Sequence, residues 1–122
     1  MNSILIADRD HSVREVLADV TREAFPDATV QVAGSGDEVL EVLAKLSNPS
    51  AAVVHWAIAE ERGAECMRRL REARVPVLLI SAWDLSHTAN ALAPSEALLQ
   101  KPFELHDYLA IVRQLLAQGP PR

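Results

Sequence analysis

The sequence contains little cysteine, little glycine and no long apolar segment, and each scarcity excludes a class of protein. A single cysteine, Cys66, among 122 residues excludes an internal disulfide and fits a cytoplasmic protein. Only four glycines, with no glycine-rich turn after the first apolar run, argue against a dinucleotide or flavin site. No apolar run reaches the roughly 18 residues of a membrane span, and the N-terminus lacks a signal core. We expect a cytoplasmic domain without a cofactor or a membrane contact.

The charge balance is acidic. Twelve basic residues face seventeen acidic ones, which gives a formal charge of -5. A domain with this balance is a poor candidate for binding duplex DNA by itself. The length and the ordinary apolar content predict one domain over residues 1–118, followed by a short tail or linker start at 119–122.

Apolar runs alternate along the chain with amphipathic stretches. The runs typical of buried strands are residues 3–7, 29–33, 51–54, 75–80 and 97–99. The stretches with helical spacing are 12–24, 39–46, 60–73, 86–93 and the segment after 103. Two capping boxes, Ser12 with Glu15 and Ser35 with Glu38, mark helix starts. This pattern predicts an α/β fold with a doubly wound, five-stranded parallel sheet in the order 2-1-3-4-5.

Polar residues follow four of the predicted strands. Ligands of such sheets bind at the carboxyl ends of the strands, and Asp8, His55, Ser81 and Lys101 stand at those ends. A carboxylate, an imidazole and a hydroxyl together raise the alternative of a hydrolytic triad. The absence of a Gly-x-Ser-x-Gly turn argues against that alternative.

Three segments carry a resemblance to a known family. Residues 4–14, in which an apolar strand runs into Asp8, together with Ile80-Ser81-Ala82 and Lys101-Pro102-Phe103, resemble the response-regulator receiver domain of two-component systems. The resemblance implies a phosphoacceptor aspartate after the third strand and a magnesium ion held by acids after the first. It also implies a hydroxyl after the fourth strand and a lysine after the fifth. Asp8, Ser81 and Lys101 match the first acid, the hydroxyl and the lysine.

Among the departures from the family pattern, three fall on the phosphorylation pocket and on the switch position. Arg9 stands in place of the second acid, His55 in place of the phosphoacceptor aspartate, and Leu98 in place of the aromatic that changes rotamer on activation. The resemblance therefore implies an atypical receiver, or pseudo-receiver, with a degenerate phosphorylation pocket. Its output surface in the family is formed by the predicted helix 86–93, the strand 97–99 and the last helix.

The substitutions change the charge of the pocket. Three carboxylates and one lysine carry a formal charge of -2, whereas Asp8, Arg9, His55 and Lys101 together carry +1 or +2. Such a pocket repels a divalent cation, and arginine cannot lose its proton. We expect no metal site and no aspartate phosphorylation. Asp10 is expected to cap the following helix instead of binding a metal.

The resulting interpretation is a signalling domain that acts through protein contacts and is not an enzyme. Its expected partner is a histidine kinase, an effector domain or another signalling protein, and homodimerisation stays open. One alternative is a phosphorelay receiver in which His55 accepts the phosphoryl group. A further hypothesis is that His55 acts as a pH-dependent element. Another is that Arg9 and Lys101 bind an anion. Pairing of Asp8 with these two cations is preferred to anion binding.

Overall fold

The computed structural model describes residues 2–45, 48–56, 63–82 and 96–118, without the side chains of Gly63 and Ala64. Strands and helices alternate along most of this chain. The strands are β1 Ser3–Ala7, β2 Thr29–Ala33, β3 Ala51–His55, β4 Val77–Ser81 and β5 Glu96–Gln100. The helices are α1 His11–Ala24, α2 Gly36–Lys45, α3 Gly63–Glu72 and α4 Leu105–Ala117. The predicted helix 86–93, residues 60–62 and the predicted tail 119–122 lie outside the described residues.

All strand pairs are parallel, and the order is β2-β1-β3-β4-β5, which confirms the predicted sheet. Alternate strand residues enter two cores, one on each face. The first core joins side chains such as Leu5, Val54 and Leu79 to α2 and α3. The second joins neighbours such as Ile6 and Val53 to α1 and α4. Because both faces are buried, the continuous apolar runs read from the sequence are what this sheet requires.

The two predicted capping boxes differ in outcome. Asp10, not Ser12, is the N-cap of α1, and its Oδ1 accepts a hydrogen bond from the Val13 amide at 3.1 Å. The cap predicted for Asp10 is therefore confirmed, and the Ser12 box is wrong because the helix already begins at His11. In the second box the Glu38 amide donates to Ser35 Oγ at 3.2 Å. The Glu38 carboxylate accepts from the Gly34 amide.

Strand β4 begins two residues later than predicted, because Val75 belongs to the end of α3. The Val75 amide donates to the Leu70 carbonyl at 2.9 Å, and the Arg74 amide donates to the Arg71 carbonyl at 3.0 Å. These two bonds form a Schellman motif, whose C′ residue adopts the left-handed conformation. That residue is Arg74, with φ of 58°, where glycine is the usual choice.

The start of β5 is tied to α3 by a two-point ion pair. Arg71 Nε donates to Glu96 Oε2 at 2.8 Å, and its Nη2 donates to Oε1 at 2.9 Å. The Glu96 side chain is 1% exposed, and its hydrogen bonds raise the pKa of Arg71. This pair fixes the strand that leads to Leu98 and Lys101.

Helices α1 and α4 meet at a buried pair of hydroxyls behind the sheet edge. Thr21 Oγ1 donates to the Leu17 carbonyl at 2.6 Å and lies 2.8 Å from the Tyr108 hydroxyl. Burial raises the pKa of Tyr108 to about 12. The Tyr108 ring stacks on Phe103 at 6.1 Å between centroids, so this contact supports the segment that follows Lys101.

Replacing Arg74 tests the left-handed C-cap of α3. Arg74→Gly and Arg74→Ala remove the same side chain, but only glycine adopts the positive φ without steric cost. We expect the glycine variant to be more stable than the alanine variant by about 1 kcal/mol. Urea unfolding of both variants measures the difference. Equal stability of the two would contradict the left-handed conformation at this position.

The hydroxyl pair predicts an asymmetry between two conservative variants. Thr21→Val leaves the buried Tyr108 hydroxyl without its partner and should cost about 1–3 kcal/mol. Tyr108→Phe leaves Thr21 bonded to Leu17 and should cost about 1 kcal/mol. Chemical denaturation of both variants gives the comparison. A larger loss in Tyr108→Phe than in Thr21→Val would refute the pairing.

Candidate functional site

Four predicted site residues meet at the carboxyl edge of the sheet. Asp8 directly follows β1, His55 ends β3, Ser81 ends β4, and Lys101 directly follows β5. The register places Ala7 beside Val54, His55 beside Ile80 and Ser81 beside Gln100. The strands therefore end level with one another, and the predicted gathering of these residues is confirmed.

Asp8 is the most buried charged group of the site, at 3% exposure. Its amide continues the sheet by donating to the Ala33 carbonyl at 3.1 Å. Its Oδ1 accepts the Asp10 amide at 2.9 Å. Its Oδ2 has no hydrogen-bond partner among the residues that the structure describes. A hydrolytic triad needs the aspartate to accept an imidazole N–H, and among the described residues Oδ2 accepts no such bond.

The side chain of Lys101 extends toward Asp8 Oδ2, the carboxylate oxygen that accepts no hydrogen bond from the described residues. Its Nζ lies 3.9 Å from Asp8 Oδ2, which is an ion pair but too long for a hydrogen bond. The Lys101 amide donates to the Ser81 carbonyl at 2.7 Å, and the Lys101–Pro102 peptide is cis. Of the predicted pairing of Asp8 with Arg9 and Lys101, the contact with Lys101 is present as a long electrostatic contact.

Ser81 and Arg9 differ in their exposure to solvent. Ser81 is fully buried at the end of β4, and Arg9 is exposed after β1. Leu98 lies in β5 opposite Leu79 and packs, partly buried, against the core shared with α2 and α3. An aliphatic side chain therefore stands at the position that the sequence resemblance assigns to a mobile aromatic.

His55 is half-buried, and its environment favours the neutral imidazole. Burial lowers its pKa below 6.5, the nearby Asp8 carboxylate opposes that change, and Lys101 and Arg9 lower the pKa further. A neutral imidazole adds no charge to the cleft at pH 7.

The donor set of the cleft does not fit a magnesium ion. Magnesium prefers several hard oxygen ligands in octahedral geometry. Asp8 provides one buried carboxylate beside Lys101, and the carboxylate of Asp10 is used in the cap of α1. Within residues 2–45, 48–56, 63–82 and 96–118, no three His, Cys, Asp or Glu side chains group as metal ligands.

Two residues near Asp8 were given no role by the sequence pattern. Arg14 Nη1 donates to the Asp8 carbonyl at 2.8 Å, and Gly34 lies against the same guanidinium. The sequence pattern predicts only that Arg14 lies in the first turn of α1, after the capping residue Asp10. Its contact with Asp8 depends on how α1 lies across the sheet, which periodicity does not specify.

Cys66, a residue outside the cleft, is buried in the core at 1% exposure. Its Sγ donates to the Gly36 carbonyl at 3.4 Å.

Among the described helices, none is long and apolar enough to cross a membrane.

The lowered pKa of His55 predicts a pH dependence of folding. The unfolded chain protonates this imidazole near pH 6.5, whereas the folded chain does so only at lower pH. Stability from His55 is therefore complete above pH 6.5 and decreases as the pH falls below it. We expect the stability difference between the wild type and His55→Gln to shift against the wild type on acidification.

Urea midpoints of both proteins across about pH 5 to 8 measure this difference. Because both chains share every other titratable group, the comparison isolates His55. A relative gain of stability by the wild type on acidification would show that the fold favours the imidazolium instead.

Comparison with known proteins gives the family. The family model for the response regulator receiver domain matches residues 4–113. Among curated proteins, the response regulator MprA of Mycobacterium leprae is 34% identical, with 97% of this chain and 52% of that protein covered. The chain thus spans about half the length of the curated relatives it matches.

Solved structures agree with the sequence relatives. A response regulator receiver protein from Burkholderia phymatum gives a TM-score of 0.79 at 26% identity, with 100% of both chains covered. One from Sinorhizobium medicae gives 0.75 at 24% identity, with 95% of this chain and 94% of that chain covered. With the strand order, the Asp8–Lys101 cleft and the family match in agreement, the chain belongs to the response regulator receiver domain family.

Proposed function

We propose that this receiver domain transmits signals through protein contacts, as a pseudo-receiver that neither binds Mg²⁺ nor is phosphorylated on an aspartate, and that it has no enzymatic activity. The observation that carries the proposal is the charge of the cleft. Among the residues that the structure describes, Asp8 is the one buried carboxylate of the cleft, and the Lys101 ammonium lies 3.9 Å from its Oδ2. The proposed partner is a protein, namely a histidine kinase, an effector domain or another signalling protein.

The electrostatic cost supports the absence of Mg²⁺. Two like charges about 4 Å apart cost about 1 kcal/mol in water and about 4 kcal/mol at the effective dielectric of a protein surface. Arg9 and Lys101 each oppose a cation beside Asp8. Even with Asp10 counted and His55 neutral, the cluster has no net negative charge.

The chemistry of phosphoryl transfer supports the proposed absence of aspartate phosphorylation. Transfer requires an in-line nucleophile and neutralisation of charge on the transferring group. His55 ends β3 where the family has its acceptor carboxylate, so an acyl phosphate cannot form at that position. The neutral imidazole is a nitrogen nucleophile, which makes a phosphohistidine the alternative product for the experiment to distinguish.

An apolar groove beside the cleft supports protein contacts as the mode of action. The groove, about 550 Å³ in volume, lies between the start of α1 and the segment Lys101-Pro102-Phe103. Val16 and Leu105, which line it, are 51% and 42% exposed. Leu17 and Ala18, not Val16, fill the contact of α1 with the sheet. Clustered exposed apolar side chains are typical of interaction surfaces.

The test is incubation of the domain with acetyl phosphate and Mg²⁺, followed by intact mass measurement. We expect no increase by one phosphoryl group in the wild type. The matched variant, Arg9→Asp with His55→Asp, returns both carboxylates to the cleft and should gain a Mg²⁺-dependent adduct.

Each result bears on the proposal. An adduct on the wild type that is removed by both acid and alkali would show an acyl phosphate and refute the pseudo-receiver. An adduct that is labile to acid, stable to alkali and absent from His55→Gln would establish the phosphohistidine alternative. Failure of the folded double variant to gain an adduct would show that these two positions do not account for the lost chemistry.

A further inference from the structure

The carbonyl of Asp8 obtains its hydrogen bond from a side chain. The Asp8 amide makes the last main-chain bond between β1 and β2, to the Ala33 carbonyl. Beyond it, Arg14 Nη1 donates to the Asp8 carbonyl at 2.8 Å. The plane of the peptide between Asp8 and Arg9 is thus set by a guanidinium that comes from α1.

This peptide controls the bonds of the Asp8 carboxylate. Its orientation directs the chain through Arg9 to Asp10, whose amide donates to Asp8 Oδ1 at 2.9 Å. Asp10 Oδ1 in turn accepts the Val13 amide at 3.1 Å and caps the helix that carries Arg14. These hydrogen bonds therefore link the Asp8 carboxylate to the first turn of α1 and link that helix back to the Asp8 carbonyl.

The same guanidinium lies against the loop after β2. A Cβ on Gly34 would stand 2.8 Å from Arg14 Nη1 and 3.4 Å from its Cζ. Glu38 Oε2, which accepts the Gly34 amide, would be 3.4 Å from that Cβ. Arg14 therefore occupies space that exists because residue 34 lacks a side chain, and any larger residue there must displace the guanidinium.

We infer that Arg14 is a positioning residue that joins the loop after β1 to the loop after β2 and thereby holds the Asp8 carboxyl in one orientation. Its second nitrogen, Nη2, lies 3.0 Å from His11 Nδ1, which places the guanidinium over the first turn of α1. This half of the cleft is arranged by contacts within the chain. The inference goes beyond the proposed function, because it holds whether or not the domain is phosphorylated.

Amide hydrogen exchange in the intact domain tests the inference at single residues. In Arg14→Met we expect the protection of the Asp10 amide to fall about tenfold, as for the loss of a hydrogen bond to a charged group. The amide of Val112 in α4 should keep its protection. Arg22→Met, which removes an arginine paired only loosely with Asp19 at 3.6 Å on the same helix, is the matched control and should leave Asp10 unchanged.

Three further variants separate positioning from general stability. Gly34→Ala displaces the guanidinium without altering Arg14, so it should lower Asp10 protection as Arg14→Met does. The double variant should show no further loss, because the contact is already gone. Arg14→Lys retains one donor for the Asp8 carbonyl and should restore part of the protection.

Three outcomes would overturn the inference. The first is an Asp10 amide that keeps its protection in Arg14→Met. The second is additive losses in Arg14→Met with Gly34→Ala. The third is an equal loss at Asp10 and Val112, which would reduce Arg14 to a contributor to global stability.

Discussion

Burial of a parallel sheet on both faces is the constraint from which the site follows. The central strands β1, β3 and β4 supply apolar side chains to two cores, so their polar residues stand at the strand ends. Asp8 and Lys101 stand directly after β1 and β5 for this reason, while His55 and Ser81 are the last residues of their strands. The level ends of the parallel strands then bring these side chains together, although they are far apart in the sequence.

Once they are together, the balance of charge decides what the cleft can do. A buried carboxylate is costly unless it is paired, and in this chain the nearest compensation for Asp8 Oδ2 is the Lys101 ammonium. The Asp10 amide and the Arg14 guanidinium fix the rest of Asp8. The chain thus places a cation of its own beside Asp8 Oδ2, which supports the proposal of a receiver that acts without a bound metal ion.

The sequence predicted the sheet and its order because both depend on burial, which leaves a clear periodicity. It predicted the cleft because strand ends are visible in the same pattern. It offered both Ser12 and Asp10 as caps of α1, because the choice between them rests on a single turn of backbone, and the structure selects Asp10. The left-handed Arg74 gave no signal, since arginine lacks the preference for positive φ that would have marked the end of α3.

The role of Arg14 could not be predicted for a different reason. Its contacts with Asp8 and Gly34 join three elements whose relative placement is set by packing, and the absence of a side chain at Gly34 becomes meaningful only once the guanidinium is seen beside it. Local pattern thus specified which residues gather at the edge. Tertiary packing determined which of them hold one another.

The central claim, that exchange of two acids for Arg9 and His55 removes the affinity of the cleft for a divalent cation, is tested most directly by a magnesium titration followed by amide chemical shifts. The account predicts that the amides of Asp8, Asp10, His55 and Ser81 show no saturable shift with Mg²⁺ at constant ionic strength. A saturable shift confined to these amides would contradict it.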